Sequence, residues 1–101
     1  MIMPVSRPIA LASNPVTVRS FTLTEVPTGP GALLSDPKGS LTIADTASLF
    51  STGTVLWRTP LAALLQFINV GQVVPLGGGT TSNGLAIIAI PSGVSIAVDF
   101  S

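Results

Sequence analysis

The chain has 101 residues, enough for a single domain, and only 8% of them are charged, about a third of the share in an average globular protein. Four basic and four acidic side chains give a net charge of zero. This balance argues against a nucleic-acid binder, because such a protein needs a basic face to displace counterions from phosphates.

The residue types that carry most enzyme chemistry are missing. The chain contains no histidine, no cysteine and no tyrosine, which removes the commonest general base and the thiolate metal ligands. Each of the four carboxylates lies beside a turn or a solvent-facing position, where we expect a solvated cap; they are Glu25, Asp36, Asp45 and Asp99. We therefore expect no catalytic residue, no cofactor and no bound metal, and predict that the protein is not an enzyme.

The scarcity of charge predicts association with other chains. A monomer of this mass exposes roughly 5,300 Å², which spreads the charges at about one per 660 Å². Typical composition would place about one charge on every 210 Å². Since uncovered apolar patches larger than a few hundred Å² usually mark an interface, we expect a homo-oligomer.

Residues 59–98 carry no charge at all, a feature that membrane-spanning segments also show. The stretch 61–76 holds several polar residues, and the stretch 85–98 is broken by Pro91-Ser92-Gly93. A spanning helix needs about 20 mostly apolar residues without such interruptions, so we do not expect membrane insertion. The first residues also lack the basic cluster and apolar run of a signal peptide.

Residues 1–15 are predicted to form an extended N-terminal arm. The three prolines of this segment are Pro4, Pro8 and Pro15. Proline lacks an N–H and pushes the preceding residue towards extended geometry. The apolar residues that we assign to an interface here are Ile2, Val5, Ile9 and Leu11. They are too apolar for a free tail, so we expect the arm to lie across a neighbouring subunit; the alternative is a frayed terminus.

Residues 16–101 are predicted to form one β-rich domain. The stretch 16–26 is rich in β-forming residues, but its apolar side chains change parity between Val18 and Phe21. A strand cannot change faces without an irregularity, so a bulge is expected near Arg19-Ser20. After two turn clusters, short strands are predicted at 41–43 and 54–58.

A helix is predicted over about 60–69. Thr59 is expected to be its N-cap and Pro60 its first residue. The residues with the spacing of one buried helical face are Leu61, Leu64, Leu65 and Ile68.

The remaining residues predict β-strands. A short strand at 72–76 precedes the glycine-rich loop 77–84, which lacks the lysine of a phosphate-binding loop and leads into a strand. The apolar run 85–90 suits a strand that is buried on both faces. Pro91-Ser92-Gly93 predicts a hairpin to the alternating strand 94–100. The fold class is thus mostly β: a small β-sandwich or barrel with one short α-helix and an N-terminal arm.

Trp57 and Arg58 are the remaining candidates for an interface. Tryptophan and arginine are enriched at interface hot spots, although a core tryptophan beside a capping arginine is an equal alternative. An arginine at a helix N-terminus is at the unfavourable end of the helix dipole, so Arg58 is expected to meet a carboxylate on another strand or chain.

In its size and general composition the chain resembles small phage head-decoration proteins, which are often trimers, although no diagnostic motif carries the resemblance. It implies a structural virion protein that decorates or cements a capsid as a homo-oligomer, with a major capsid or other shell protein as its partner. The scarce charge, β-rich elements and missing catalytic groups favour the same function. The alternative is a β-rich adhesin, tail-fibre or cell-surface module whose Ser/Thr-rich faces bind a ligand.

Overall fold

Eight strands and one short helix make up the part of the chain that the computed structural model describes, residues 1–32, 34, 36–51 and 53–101. In chain order the elements are β1 (Ile2–Val5), β2 (Ile9–Ala12), β3 (Val18–Glu25), β4 (Ser40–Asp45), β5 (Thr54–Pro60), α1 (Leu61–Phe67), β6 (Val73–Pro75), β7 (Leu85–Ala89) and β8 (Ser95–Phe100). The prediction of a mostly β fold with one short helix is confirmed.

The strands form two antiparallel sheets of four strands each. The first sheet has the order β1-β8-β3-β6, and the second has the order β2-β7-β4-β5. Each sheet keeps two edges, so the described strands do not close into a barrel. The sheets share one apolar core, and its fully buried members include Phe21, Leu23, Ile96 and Val98 from the first sheet and Leu41, Ile43, Leu85 and Ile87 from the second.

The bulge predicted in the strand at 16–26 is present in β3. The pairing of β3 with β8 shifts register between Val18 and Ser20. Because of this extra residue, Val18 and Phe21 are both buried although their positions differ in parity. The change of parity in the sequence therefore indicated the correct irregularity.

The helix is shorter than predicted, because β5 holds the residues expected to start it. Thr59 pairs with Leu41 in the sheet, and Pro60 is extended, with φ −71° and ψ 157°. Leu61 and Leu64 face the core as expected. No helix in the described ranges, including the seven residues of α1, is long and apolar enough to cross a membrane.

The extended arm expected at residues 1–15 is not confirmed, since its residues pair within the chain's own sheets. Strand β1 pairs with β8, from Ile2 with Asp99 to Val5 with Ile96. Strand β2 pairs with β7, and the link at 6–8 carries the chain from one sheet to the other. Prolines are tolerated here because edge strands and links leave some backbone N–H groups unneeded in the ladder.

The hairpin predicted around Pro91-Ser92-Gly93 is wrong, although the turn itself forms. The Val94 N–H donates to the Pro91 carbonyl at 3.1 Å, and Gly93 has φ 81°, as the third position of a type II turn requires. The strands on either side, β7 and β8, belong to different sheets. The two strands are largely buried in different layers. The turn therefore forms an arch from one sheet to the other, and β7 and β8 do not pair with each other.

Candidate interaction surface

Strand β5 is the longest uncovered edge in the described part of the fold. It is the last strand of the second sheet, with seven residues, whereas the edge strands β1, β2 and β6 have four, four and three. Strand β1 is further interrupted by Pro4, which lacks an N–H, while β6, like β5, ends in a proline. Short strands and prolines protect a sheet edge from pairing with other chains, and β5 has a proline only at its last residue.

The exposed side chains of β5 are mainly apolar. Val55 is 51% exposed and Leu56 is 40% exposed, while Arg58 is the one charged residue of the strand. A bulge at Leu56 shifts the register with β4 between Ile43 and Ala44. We call the free side of Thr54–Pro60, with these three exposed side chains, the β5 edge. A long edge with exposed apolar residues is typical of a site that accepts another strand.

Trp57 lies on the core side of β5. Its ring contacts Phe21 edge-on, with centroids 5.7 Å apart, and its sheet partner is the fully buried Ile43. The indole Nε1 is buried and has no hydrogen-bond partner among the described residues. The ring therefore packs against the core directly behind the β5 edge, and its part in an interface stays a prediction.

Arg58 is exposed and forms no ion pair with any residue that the structure describes. Asp99 pairs instead with Arg19, at 3.4 Å, and Asp36 accepts a hydrogen bond from the Ser92 N–H, at 3.1 Å. The carboxylate that the sequence led us to expect for Arg58 is thus not found within the described chain, and a carboxylate on another chain stays a prediction.

The structure does not bring the apolar residues predicted at the N-terminus together with Trp57 and Arg58. Ile2 is 68% exposed, but it lies on β1, in the other sheet. Val5 is part of the buried core, and Ile9 and Leu11 pack against it from β2. Strands β2 and β5 form opposite edges of the second sheet, so the predicted interface residues are dispersed.

Asp45, which the sequence led us to treat as a solvated cap, is a buried structural residue at the end of β4. Its carboxylate accepts the backbone N–H groups of Ser82 at 2.7 Å, Asn83 at 2.8 Å and Gly84 at 3.3 Å. These hydrogen bonds, led by that of Ser82, lower the pKa of Asp45, against the opposing effect of burial. No local pattern reveals this role, because the partners come much later in the chain.

A cleft of about 310 Å³ opens where the β4–β5 loop meets residues 82–84. The residues that line it are Thr46, Ala47, Ser48, Ser51, Gly53 and Asn83. Phe50, between two lining residues of this loop, is fully exposed, and sequence reasoning did not single it out. Hydroxyl groups and an amide thus line the cleft, and the exposed Phe50 belongs to the same loop.

The described residues contain no group of three or more Asp and Glu side chains that could hold a metal ion. No protein-family model, no curated protein and no solved structure matches the chain.

Proposed function

We propose that the chain is a structural virion protein that associates with copies of itself and decorates or cements a capsid shell. The observation that carries the proposal is the β5 edge, a seven-residue strand whose free side presents Val55 and Leu56 to solvent. Such an edge adds a strand from a neighbouring chain through main-chain hydrogen bonds, and its side chains give the contact specificity.

The charge density of the surface supports association. The chain exposes 5479 Å² and has eight charged side chains, or about one per 685 Å². One positive and one negative charge are already paired, those of Arg19 and Asp99. A surface so poorly charged favours association over the dispersed monomer, because net charge and charged side chains keep proteins apart in water.

The oligomer that we propose is closed and symmetric, and we propose a trimer because of the resemblance to head-decoration proteins. In a ring of three, each contact joins two different surfaces of neighbouring subunits. The β5 edge of one subunit would then bind a second surface on the next. The shell protein binds the assembled ring, which places the protein on the capsid surface.

The first prediction tests the β5 edge by charge. Val55→Lys and Leu56→Lys, made together, should weaken self-association at least tenfold. A strand added from another chain would bury the two new charges, and burial of unpaired charge opposes binding. Sedimentation equilibrium measures the effect, and the original chain should reach three times its mass of 10.2 kDa.

The control is Phe67→Lys, which places a single lysine charge at another apolar side chain, 69% exposed on α1. It should leave the association constant unchanged, and circular dichroism should be the same for all variants. An original chain that stays monomeric at all concentrations and does not co-sediment with capsid shells contradicts the proposal. Equal weakening by Phe67→Lys contradicts the assignment to β5.

A second candidate function, a β-rich adhesin, tail-fibre or cell-surface binding module, is favoured by one observation, the hydroxyl-lined cleft beside Phe50. The two candidates differ in a simple measurement. A binding module should bind its ligand with no shell present, whereas a decoration protein should co-sediment with preformed shells.

A further inference from the structure

The cleft between the β4–β5 loop and residues 82–84 is uncharged. Its lining side chains are hydroxyls, one amide and a methyl group, from Thr46, Ser48, Ser51, Asn83 and Ala47. A cleft of this composition has no cation to bind phosphate or carboxylate, and it has too many polar groups for a purely apolar ligand.

Hydrogen bonds hold both sides of the cleft, residues 82–84 and the start of the β4–β5 loop. The carboxylate of Asp45 fixes residues 82–84 through three backbone N–H groups. Gly84 lies so close to the Ala12 carbonyl and to residues 46 and 47 that a Cβ atom at this position would clash with them. The Thr46 and Ser48 side chains further brace their own loop through hydrogen bonds of 3.1–3.3 Å. Residues 46–50 and 82–84 on the two sides of the cleft are therefore preorganised, which lowers the entropic cost of binding.

Two polar side chains of the cleft remain available to bind a ligand. The Ser51 hydroxyl and the Asn83 amide are exposed and make no hydrogen bond to any described residue. Together these two side chains offer three donors and several acceptor lone pairs. Phe50 lies between the lining residues Ser48 and Ser51 in the sequence, and its backbone N–H donates to the Ser48 hydroxyl at 3.1 Å. Its ring is 101% exposed, so its apolar face is available beside the cleft.

We infer that this cleft binds a neutral carbohydrate through one or two of its sugar rings. A sugar ring carries neighbouring hydroxyls that pair with the Ser51 hydroxyl and the Asn83 amide, and its C–H face packs against the exposed Phe50 ring. The volume of about 310 Å³ lies near the lower end of ligand pockets, roughly 300–1,000 Å³, which suits such a small unit. This inference does not depend on capsid decoration or on the β5 edge.

The second prediction tests this binding by NMR on the full ¹⁵N-labelled chain. The probes are four neutral oligosaccharides, maltotriose, cellotriose, N,N′,N″-triacetylchitotriose and galactobiose, with trigalacturonate as the charged comparison. At least one neutral probe should shift the amide signals of Ser51, Gly53 and Asn83 in a saturable manner, while trigalacturonate should not. Phe50→Ala and Asn83→Ala should each weaken that binding about fivefold, as expected for one lost neutral contact.

Phe67→Ala, which removes an exposed phenylalanine from α1, is the matched control and should leave the affinity unchanged. No saturable shift with any neutral probe, shifts located elsewhere, or equal binding of trigalacturonate would each overturn the inference. The Val55→Lys, Leu56→Lys variant should still bind the sugar. This distinguishes failure of the cleft from failure of the β5 edge.

Discussion

Asp45 joins two loops that are distant in the sequence. It ends β4, and its carboxylate accepts hydrogen bonds from three consecutive N–H groups just before β7. A carboxylate held by backbone N–H groups is stabilised in its charged form, so its pKa in the folded chain is below the ordinary value. The contribution of Asp45 to folding is therefore present above the unfolded pKa, about 3.9, and is lost as the pH falls through the lower folded pKa.

The third prediction follows from the lowered pKa of Asp45. Asp45→Asn should lower the free energy of unfolding at neutral pH, because an uncharged amide oxygen is a weaker acceptor for the N–H groups of residues 82–84. The variant should also lose part of the destabilisation that the original chain undergoes below about pH 4. Urea unfolding followed between pH 2 and pH 7 measures both effects.

Glu25→Gln is the control for this prediction. The Glu25 side chain is exposed, and no hydrogen bond or ion pair joins its carboxylate to the residues that the structure describes. Its replacement removes the same charge but should leave the low-pH destabilisation in place. An Asp45→Asn variant with an unaltered pH profile would show that the three hydrogen bonds do not stabilise the fold.

Trp57 combines a core ring with an unpartnered donor. Its ring packs on Phe21, while Nε1 is buried without an acceptor among the described residues. The fourth prediction is that Trp57→Phe changes the free energy of unfolding by less than about 1 kcal/mol, since the lost apolar area is offset by removal of the unsatisfied N–H. Trp57→Ala should cost about 3 kcal/mol.

The sequence left open whether Trp57 lies in the core or at an interface, and urea unfolding of the variants distinguishes the two. If Trp57→Ala keeps its stability and loses only self-association, the ring belongs to an interface and not to the core. If Trp57→Phe is as destabilising as Trp57→Ala, then Nε1 has a partner that stabilises the fold.

At the scale of elements, the sequence predicted those features of strands and helices that depend on residues close together in the chain. The parity change between Val18 and Phe21 revealed a bulge, and the spacing of Leu61 and Leu64 revealed a helical face. The pairing of strands depends on distant residues and did not follow from local pattern. Pro91-Ser92-Gly93 reverses the chain equally well within one sheet or between two sheets, so the pattern predicted the turn but not the arch.

The dependence of strand pairing on distant residues also explains why the N-terminal segment was predicted to be an arm. Alternating prolines and apolar residues are compatible with an arm on a neighbour and with edge strands on the chain's own sheets. The structure adopts the edge strands because β7 and β8 offer free backbone groups beside them, and Val5 fills a site in the core.

The fifth prediction is that deletion of residues 1–14 unfolds the chain. The deletion removes two edge strands, the buried Val5, and the partly buried Ile9 and Leu11 that pack on the core. Amide dispersion in NMR spectra and near-ultraviolet circular dichroism should both be lost. A truncated chain that stays folded and loses only self-association would instead support an arm.

Point variants separate loss of core packing from loss of exposed surface in the same segment. Val5→Ala should cost about 2 kcal/mol, because the side chain is fully inside the core. Ile2→Ser should change stability by less than about 0.5 kcal/mol, since Ile2 is 68% exposed.

At the scale of the whole molecule, composition indicated a surface poor in charge but not where that surface would associate. The β5 edge could not be located from sequence, because the local pattern does not distinguish a strand at the edge of a sheet from one at its centre. The cleft was equally hidden, since Asn83 joins Ser48 and Ser51 only through the pairing of β4 with β7. Sites assembled from loops of distant strands need the sheet order before they can be recognised.

The crossing of residues 1–12 from the first sheet to the second has a consequence for folding kinetics. Ile2 pairs with Asp99 and Ile9 pairs with Ile87, so the first strands of the chain have their partners among the last. A ribosome therefore releases β1 and β2 long before their partners exist: the second sheet cannot be completed until β7 emerges, and the first sheet cannot be completed until β8 emerges. Contacts between such distant residues slow folding, typically to milliseconds or seconds, because the large loops must close before the contacts can form.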